Sequence, residues 1–175
     1  MYRVRGKRVL DIGCNSGAIT MQLLRPNHGA QSVVGVDIDE TLIKRARNTA
    51  QRYICSDRKI RKKNDLNVSF LVGNVADTSW PFDESNQQQS GSNSNESECR
   101  FDCILCLSVT KWIQLNHGDD GIKTLIRRVD ELLEIGGIFV LGAARIYTAL
   151  MQISFMGNNP DSASEPHRTW ILVMM

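Results

Sequence analysis

VLDIGCNSG, residues 9–17, is the stretch of this chain that decides its fold. A short apolar run carries Asp11 near its end, and Gly13 and Gly17 follow, four residues apart. Glycine tolerates a positive φ and has no Cβ, so this turn lets the backbone approach a ligand closely. The next residues, AITMQLL, have the composition of a helix. We therefore predict a strand, a tight turn with a ligand against it, and a helix.

A second apolar run, residues 32–36, ends in Asp37. An acid at that point can accept hydrogen bonds from the ribose hydroxyls of a nucleotide-like ligand. A dinucleotide site has the spacing G-x-G-x-x-G, whereas these glycines are spaced G-x-x-x-G. The carboxylate of Asp11 would repel a pyrophosphate and suits a ligand that carries positive charge. The turn resembles the first motif of Rossmann-like methyltransferases, D-x-G-x-x-x-G, and we predict S-adenosylmethionine as the cofactor. The competing interpretation is a strand-to-helix turn without a ligand.

The length of 175 residues suits one modest α/β domain. The net charge of +2 is too small to indicate nucleic acid. A local basic cluster between residues 52 and 63 fits either a solvated helix end or a rim that attracts RNA phosphates. No apolar run is long enough for a bilayer, and the N-terminus lacks the apolar core of a signal peptide. We expect a protein of the nucleus or cytoplasm, with no membrane partner.

Five cysteines are present, and Cys103 and Cys106 form one C-x-x-C. No second pair lies at the spacing of a zinc ribbon. Both residues lie within an apolar strand, which predicts buried free thiols and no metal site. No disulfide framework is indicated, as in a reducing compartment.

The remaining pattern predicts alternating strands and helices. This alternation indicates an α/β protein with an open, mostly parallel sheet and helices on both faces. The predicted elements are a helix over 39–54 with Asp39 as N-cap, strands over 68–72, 101–107 and 138–141, and a helix over 120–133 ended by Gly136 and Gly137.

The predicted domain covers residues 1–147. Residues 83–99 are polar and rich in Ser, Asn and Gln, which predicts a disordered surface insertion. Residues 148–175 form an atypical tail, in which only residues 170–175 could supply a further strand. We expect the C-terminal strands of the sheet to be incomplete.

The segment SVTKWIQLNHGDDG, residues 108–121, follows the fourth strand, and we predict a loop there. Ligands of this fold approach the carboxyl ends of the strands, where such a loop lies. Lys111 could hold a phosphate as a point charge, and Trp112 could stack on a ligand. The competing interpretations are Trp112 as a lid on the core and His117 as an ordinary loop histidine.

Together, VLDIGCNSG and LSVTKWIQLNHGDDG closely resemble the methylphosphate capping enzyme family, the bicoid-interacting type of RNA methyltransferase. The resemblance covers residues 8 to 141 and implies a Rossmann-like class I methyltransferase fold. It also implies methyl transfer from S-adenosylmethionine to a terminal phosphate of RNA, with a small non-coding RNA as partner. Position by position, it implies cofactor contacts at Gly13, Cys14, Asn15, Asp37, Asn74 and Leu107, and an RNA-end site around Thr110, Lys111, Trp112, Asn116 and His117.

No catalytic residue is assigned, because an ionised phosphate oxygen is already a nucleophile and needs positioning more than a base. The chain departs from the family in lacking a tyrosine-rich motif before the first strand and an E-P-Q-P-W-like segment after the fifth. We therefore expect weak or absent catalysis. Two other functions stay open: a non-catalytic RNA-binding or adaptor module, and a small-molecule or protein methyltransferase.

Overall fold

The computed structural model describes residues 4–56, 67–82, 100–143 and 169–174. Strands and helices alternate along most of this part of the chain. The elements are β1 (Arg8–Ile12), α1 (Ala18–Leu23), β2 (Ser32–Asp37), α2 (Glu40–Ser56), β3 (Val68–Val72), β4 (Phe101–Leu107), α3 (Thr110–Leu132), β5 (Leu133–Ala143) and β6 (Thr169–Met174).

The strands form one sheet in the order β3-β2-β1-β4-β5-β6, and every neighbouring pair is parallel. The predicted open parallel sheet is confirmed. Because β1 lies between β2 and β4, the strand order reverses at β1. The carboxyl ends of β1 and β4 therefore border a crevice, which is where ligands bind in open α/β sheets.

Helices cover both faces of the sheet, as predicted. Leu10 of β1 packs in one buried cluster with Leu125 and Val129 of α3. Phe70 of β3 packs in a cluster on the other face with Ile43 of α2. Successive strand residues point to opposite faces, so the apolar strands supply side chains to both clusters.

The N-cap predicted for α2 is confirmed. Asp39 Oδ1 accepts hydrogen bonds from the N–H groups of Thr41 at 2.7 Å and Leu42 at 3.2 Å. These bonds satisfy donors that the first turn of a helix leaves without a partner.

The loop predicted over residues 108–121 is wrong, because α3 already begins at Thr110. Gly118 interrupts it with φ 60° and ψ −155°, a backbone conformation that favours glycine. The buried Ile113 anchors the segment before this break to the core. Residues 110–117 are therefore a helical wall beside the crevice.

The start predicted for the fifth strand is also wrong. β5 follows α3 directly at Leu133, and Gly136 and Gly137 lie inside the strand. Phe101 pairs with Leu133 and Cys103 with Ile138, so β5 has three more residues than β4 between these pairs. Gly136, at φ 78°, lies in this irregularity, where a positive φ lets a strand bulge without breaking.

Cys103 and Cys106 are buried free thiols, as predicted. They lie in clusters on opposite faces of the sheet, so they do not converge on one ion. Burial raises the pKa of Cys103 to about 11 and that of Cys106 to about 12. Within the described ranges, no group of three or more His, Cys, Asp or Glu side chains could hold a metal.

The candidate strand at residues 170–175 is confirmed as β6, which pairs along β5 from Ile138 to Ala143. The polar segment 83–99 and the tail between 148 and 168 lie outside the described residues. In the part of the chain that is described, no helix has the length and apolarity needed to cross a bilayer.

Candidate functional site

A cavity of about 1010 Å³ lies where β1, β2 and β4 end. It is open to solvent and collects residues that the sequence places far apart. Of the predicted cofactor residues, its lining contains Asp11, Gly13, Cys14, Asn15, Asp37, Asn74 and Leu107, and of the predicted RNA-end residues it contains Trp112, Asn116 and His117.

The turn after β1 is held against the end of β2. The N–H groups of Gly13 and Cys14 both donate to the carbonyl oxygen of Val36, at 2.8 and 3.0 Å. Gly13 has φ 76°, and a Cβ there would lie 2.1 Å from Val109 Cγ2. The turn is therefore packed between the end of β2 and the start of α3, and only glycine fits at position 13.

Asp37 is oriented by backbone donors at the cavity wall. Its Oδ2 accepts the Asn15 N–H at 2.8 Å, and its Oδ1 accepts the Asp39 N–H at 3.0 Å. Asn15 has φ 53°, and this left-handed conformation aims its N–H at the carboxylate. The Asp37 carboxylate is thus fixed next to the glycine turn.

Asp11 is almost wholly buried, with 2% of its surface exposed. Its Oδ2 accepts a hydrogen bond of 2.6 Å from the Thr20 hydroxyl. Burial raises the pKa of Asp11 to about 6; the Thr20 bond opposes this change and the charge of Asp37 adds to it. The Asp11 carboxyl group at the base of the cavity therefore ionises less readily than an exposed one, unless a cation lies nearby.

This raised pKa predicts a pH-dependent stability. The folded chain binds the Asp11 proton more tightly than the unfolded chain, so its free energy of unfolding falls as the pH rises from about 4 to about 6. Above about pH 6, the free energy of unfolding should be lower than at about pH 4 by on the order of 2–3 kcal/mol. Asp11→Asn keeps an acceptor for Thr20 without the charge, and should remove this pH dependence in chemical denaturation. Glu131→Gln, at an exposed site, is the control, and an unchanged pH profile in Asp11→Asn would contradict the prediction.

The second glycine of the motif has a different role from the first. Gly17 caps α1 with φ 79°, and a Cβ there would lie 2.9 Å from the Phe70 ring. It packs against the core and does not line the cavity. The Cys14 side chain is also buried in that core cluster, and burial, together with the charges of Asp11 and Asp37, raises its pKa to about 12. Its thiol stays protonated at neutral pH.

Only some of the predicted RNA-end residues, which all lie on the first part of α3, face the cavity. Side chains four residues apart lie on the same face of a helix. Two such pairs line the cavity: Trp112 with Asn116, and Ile113 with His117. Lys111 is exposed and Thr110 is buried, and neither lines the cavity. A loop was predicted here, so the sequence offered no helical face by which to separate these residues.

Apolar cavity residues were missed by the sequence-based prediction. Ile38 lines the cavity although 67% of its surface is exposed, and Leu42, Val75, Val109 and Ile113 line it as well. A large apolar side chain directly after the strand-end Asp37 was the available signal. The site therefore combines fixed carboxylates with an apolar wall, as small-molecule sites do.

Family models match two separate parts of this chain. The model of Bicoid-interacting protein 3 (Bin3) matches residues 101–149. The model of ribosomal protein L11 methyltransferase (PrmA) matches residues 1–77. The first match contains β4, α3 and β5, and the second contains the glycine turn and Asp37.

Curated relatives are similar over most of the chain. A probable RNA methyltransferase from Arabidopsis thaliana is 36% identical, over 78% of this chain and 49% of its own length. The U6 snRNA methylphosphate capping enzyme Amus of Drosophila melanogaster is 37% identical, over 78% of this chain and 41% of its own. The human 7SK snRNA methylphosphate capping enzyme is 29% identical, over 78% of this chain and 25% of its own length. The chain thus spans about half the length, or less, of these relatives.

Among solved structures, an S-adenosylmethionine dependent methyltransferase from Mesorhizobium loti matches with a TM-score of 0.50 and 20% identity, over 81% of this chain and 48% of that one. The likeness, together with the parallel sheet, confirms the predicted Rossmann-like class I methyltransferase fold. The Bin3 model matches the chain over β4 to β5, and the two capping enzymes are similar to it over 78% of its length, so the chain is similar to the Bin3 family of RNA methyltransferases.

Proposed function

We propose that this protein transfers a methyl group from S-adenosylmethionine to the 5′-terminal phosphate of RNA. One observation carries the proposal: the Asp37 carboxylate and the glycine turn form one wall of a cavity whose other wall, with Trp112 and His117, lies in the part that matches Bin3. The named relatives that act on snRNA support it.

The cavity suits S-adenosylmethionine. Asp37 offers carboxylate oxygens for ribose hydroxyls, and the apolar Ile38 and Val75 offer a surface for a flat base. The buried Asp11 favours a ligand with positive charge over one with a pyrophosphate. When bound, this cofactor supplies an electrophilic methyl group on a sulfonium. We assign the cofactor to Asp11, Gly13, Cys14, Asn15, Asp37, Asn74 and Leu107, with Gly17 shaping the turn by packing.

The RNA end is assigned to the first part of α3. Trp112 is 63% exposed at the cavity rim, where a base can stack on its ring. Asn116 is fixed by donating from Nδ2 to the Trp112 carbonyl oxygen at 2.8 Å. His117 offers a ring nitrogen to a phosphate, and the exposed Lys111 offers its charge outside the cavity. Thr110 is buried in the first turn of this helix.

The chemistry asks for position more than for a proton acceptor. A phosphate monoester is ionised near neutral pH, so its oxygen is a nucleophile without help from a base. The protein contributes by holding the phosphate oxygen in line with the methyl group, so that the two reactants do not adopt other arrangements. A location in the nucleus or cytoplasm, and a small non-coding RNA as substrate, go with this proposal because two of the relatives are named for snRNA.

A protein substrate is the second candidate. The PrmA match over residues 1–77, and a 35% identical ribosomal protein L11 methyltransferase of Haemophilus influenzae over 77 residues, favour it. The PrmA model matches only the part of the chain with the proposed cofactor residues, and that part does not distinguish acceptors. An adaptor without turnover is the third candidate, and it need not bind the cofactor.

Two measurements test the proposal. Calorimetric titration with S-adenosylhomocysteine should show binding to the wild-type chain. Labelled S-adenosylmethionine should then methylate an RNA with a 5′-monophosphate, at the weak rate expected from the sequence, and leave the same RNA with a 5′-hydroxyl unlabelled. Binding without transfer would favour the adaptor, labelling of a protein acceptor alone would favour the second candidate, and no binding would contradict the cofactor assignment.

Trp112→Ala tests the RNA end. Loss of a stacking ring should raise the KM for RNA about 5- to 150-fold, because base stacking on an aromatic side chain contributes about 1–3 kcal/mol. The free energy of unfolding should change little, since the ring is mostly exposed. Leu115→Ala is the matched control: it is 64% exposed on the same helix and does not line the cavity. Equal effects of the two substitutions would contradict the assignment.

A further inference from the structure

Three polar side chains join the segment after β3 to α3 across the edge of the cavity. Asn74 Nδ2 lies 2.7 Å from Asp77 Oδ2 and 3.3 Å from His117 Nε2. Asn74 and His117 line the cavity, whereas Asp77 does not. The chain of contacts therefore starts outside the cavity and ends on a residue of the proposed RNA-end site.

The orientation of the Asn74 amide is fixed by its oxygen. Asn74 Oδ1 accepts the Ala76 N–H at 2.9 Å, which identifies the oxygen end of the amide. The other end is an NH₂ group with two hydrogens, one for each remaining partner. Asp77 Oδ2 takes one of them as a pure acceptor, and the second faces the His117 ring.

Asp77 is itself held in place. Its Oδ1 accepts from the Ser79 N–H at 2.8 Å and from the Ser79 hydroxyl at 2.7 Å. Burial alone would raise the pKa of Asp77, but the hydrogen bonds from Ser79 and Asn74 and the nearby His117 lower it. The carboxylate therefore remains an ionised acceptor throughout the neutral range and keeps the Asn74 amide turned toward His117.

The His117 ring is consequently constrained. A donor faces Nε2, so Nε2 must present its lone pair and the proton of the neutral ring must lie on Nδ1. On the other side, His117 Cβ lies only 2.5 Å from the place of a Cβ on Gly121, so the helix lies close behind the residue.

We propose that Asp77 is a positioning residue that acts through Asn74 to hold His117 as the Nδ1–H tautomer, with Nδ1–H as its donor to the RNA phosphate. The identity of that acceptor rests on the proposed function, but the tautomer does not. The arrangement also links the two walls of the site, because Asn74 belongs to the cofactor residues and His117 to the RNA-end residues.

Asp77→Asn tests this inference. The variant keeps the shape of the side chain but turns an NH₂ group toward the NH₂ of Asn74, and two donors cannot bond. ¹⁵N chemical shifts of the two His117 ring nitrogens should show a lone pair on Nε2 in the wild type. In the variant the ring should move to the Nε2–H tautomer that an unconstrained imidazole prefers. Glu131→Gln, at an exposed position that does not line the cavity, should retain the wild-type shifts.

Kinetics add a second measurement. Asp77→Asn should raise the KM for RNA about 3- to 10-fold, the effect of one lost hydrogen bond, with kcat changed less than twofold. In a His117→Ala background, the same substitution should have no further effect on KM, because its route to the substrate is gone. Should Asp77→Asn not fold, Ser79→Ala loosens the same carboxylate and should shift the tautomer in the same direction.

The outcomes separate the two hypotheses. Unchanged ring shifts in a folded Asp77→Asn or Ser79→Ala variant would overturn the inference, and so would a KM effect that persists without His117. A wild-type chain that has the Nδ1–H tautomer but does not methylate RNA would overturn the proposed function and leave the inference about His117 standing.

Discussion

Gly13→Ala is expected to abolish measurable binding of S-adenosylhomocysteine, with a loss in affinity of at least about 100-fold. The new methyl group would lie 2.1 Å from Val109 Cγ2, and the residue would have to keep φ 76°. The left-handed conformation costs about 1–2 kcal/mol for alanine, and forced overpacking about 1–3 kcal/mol more. The turn should relieve this strain by moving away from Val36 and Val109, which deforms the cavity wall. Calorimetric titration and chemical denaturation measure the two effects.

Gly6→Ala is the matched control. Gly6 has φ 70°, but a Cβ there meets nothing within 4 Å, and the residue does not line the cavity. It should therefore show the conformational cost alone, about 1–2 kcal/mol, with normal ligand binding. If Gly13→Ala binds the ligand as well as Gly6→Ala does, the close approach at Val109 is not what shapes the site.

Asp37→Ala is expected to lower the affinity for S-adenosylhomocysteine roughly 10- to 100-fold, the range for a lost hydrogen bond to a charged group. The carboxylate lines the cavity and is oriented by the N–H groups of Asn15 and Asp39. Calorimetric titration of both proteins measures the change.

Two further variants separate charge from local structure. Asp37→Asn keeps one side-chain oxygen for the Asn15 N–H and removes the charge, so it should retain the fold and still lose most of the affinity. Glu40→Gln, an exposed acid that pairs with Lys44 on the first turn of α2, should bind like the wild type. Wild-type affinity in Asp37→Ala would contradict the assignment of this residue to the cofactor.

Local chemistry explains why much of the fold could be predicted from the sequence. Two glycines four apart, after an apolar run, predicted the turn, and both have a positive φ. Asp39 predicted the start of α2 because its side chain satisfies N–H groups a few residues away. The position of Asp37 at the crevice could be predicted because, in a parallel sheet, an acid at the carboxyl end of a strand next to the switch point lies at the ligand-binding edge.

The wrong predictions all involve tertiary packing that overrides local preference. Residues 108–121 contain two glycines and an asparagine, yet the buried Ile113 holds their first half as a helix. Gly136 and Gly137 usually end an element, but pairing with β4 continues the strand through them. The charge of Lys111 suggested an RNA contact; its side chain does not line the cavity, and its role at the RNA end stays a prediction.

The order of the strands has a consequence for how the molecule folds. The glycine turn, the Val36 carbonyl and Asp37 lie within 25 residues of one another, whereas β1 meets β4 through pairs such as Val9 and Cys103. Closing the longer loop costs more entropy, so we expect the cofactor wall to form first and the wall with Trp112 to join it later. The PrmA match ends at residue 77 and the Bin3 match begins at residue 101, so the half that we expect to fold first is the half that matches the model of a ribosomal protein methyltransferase.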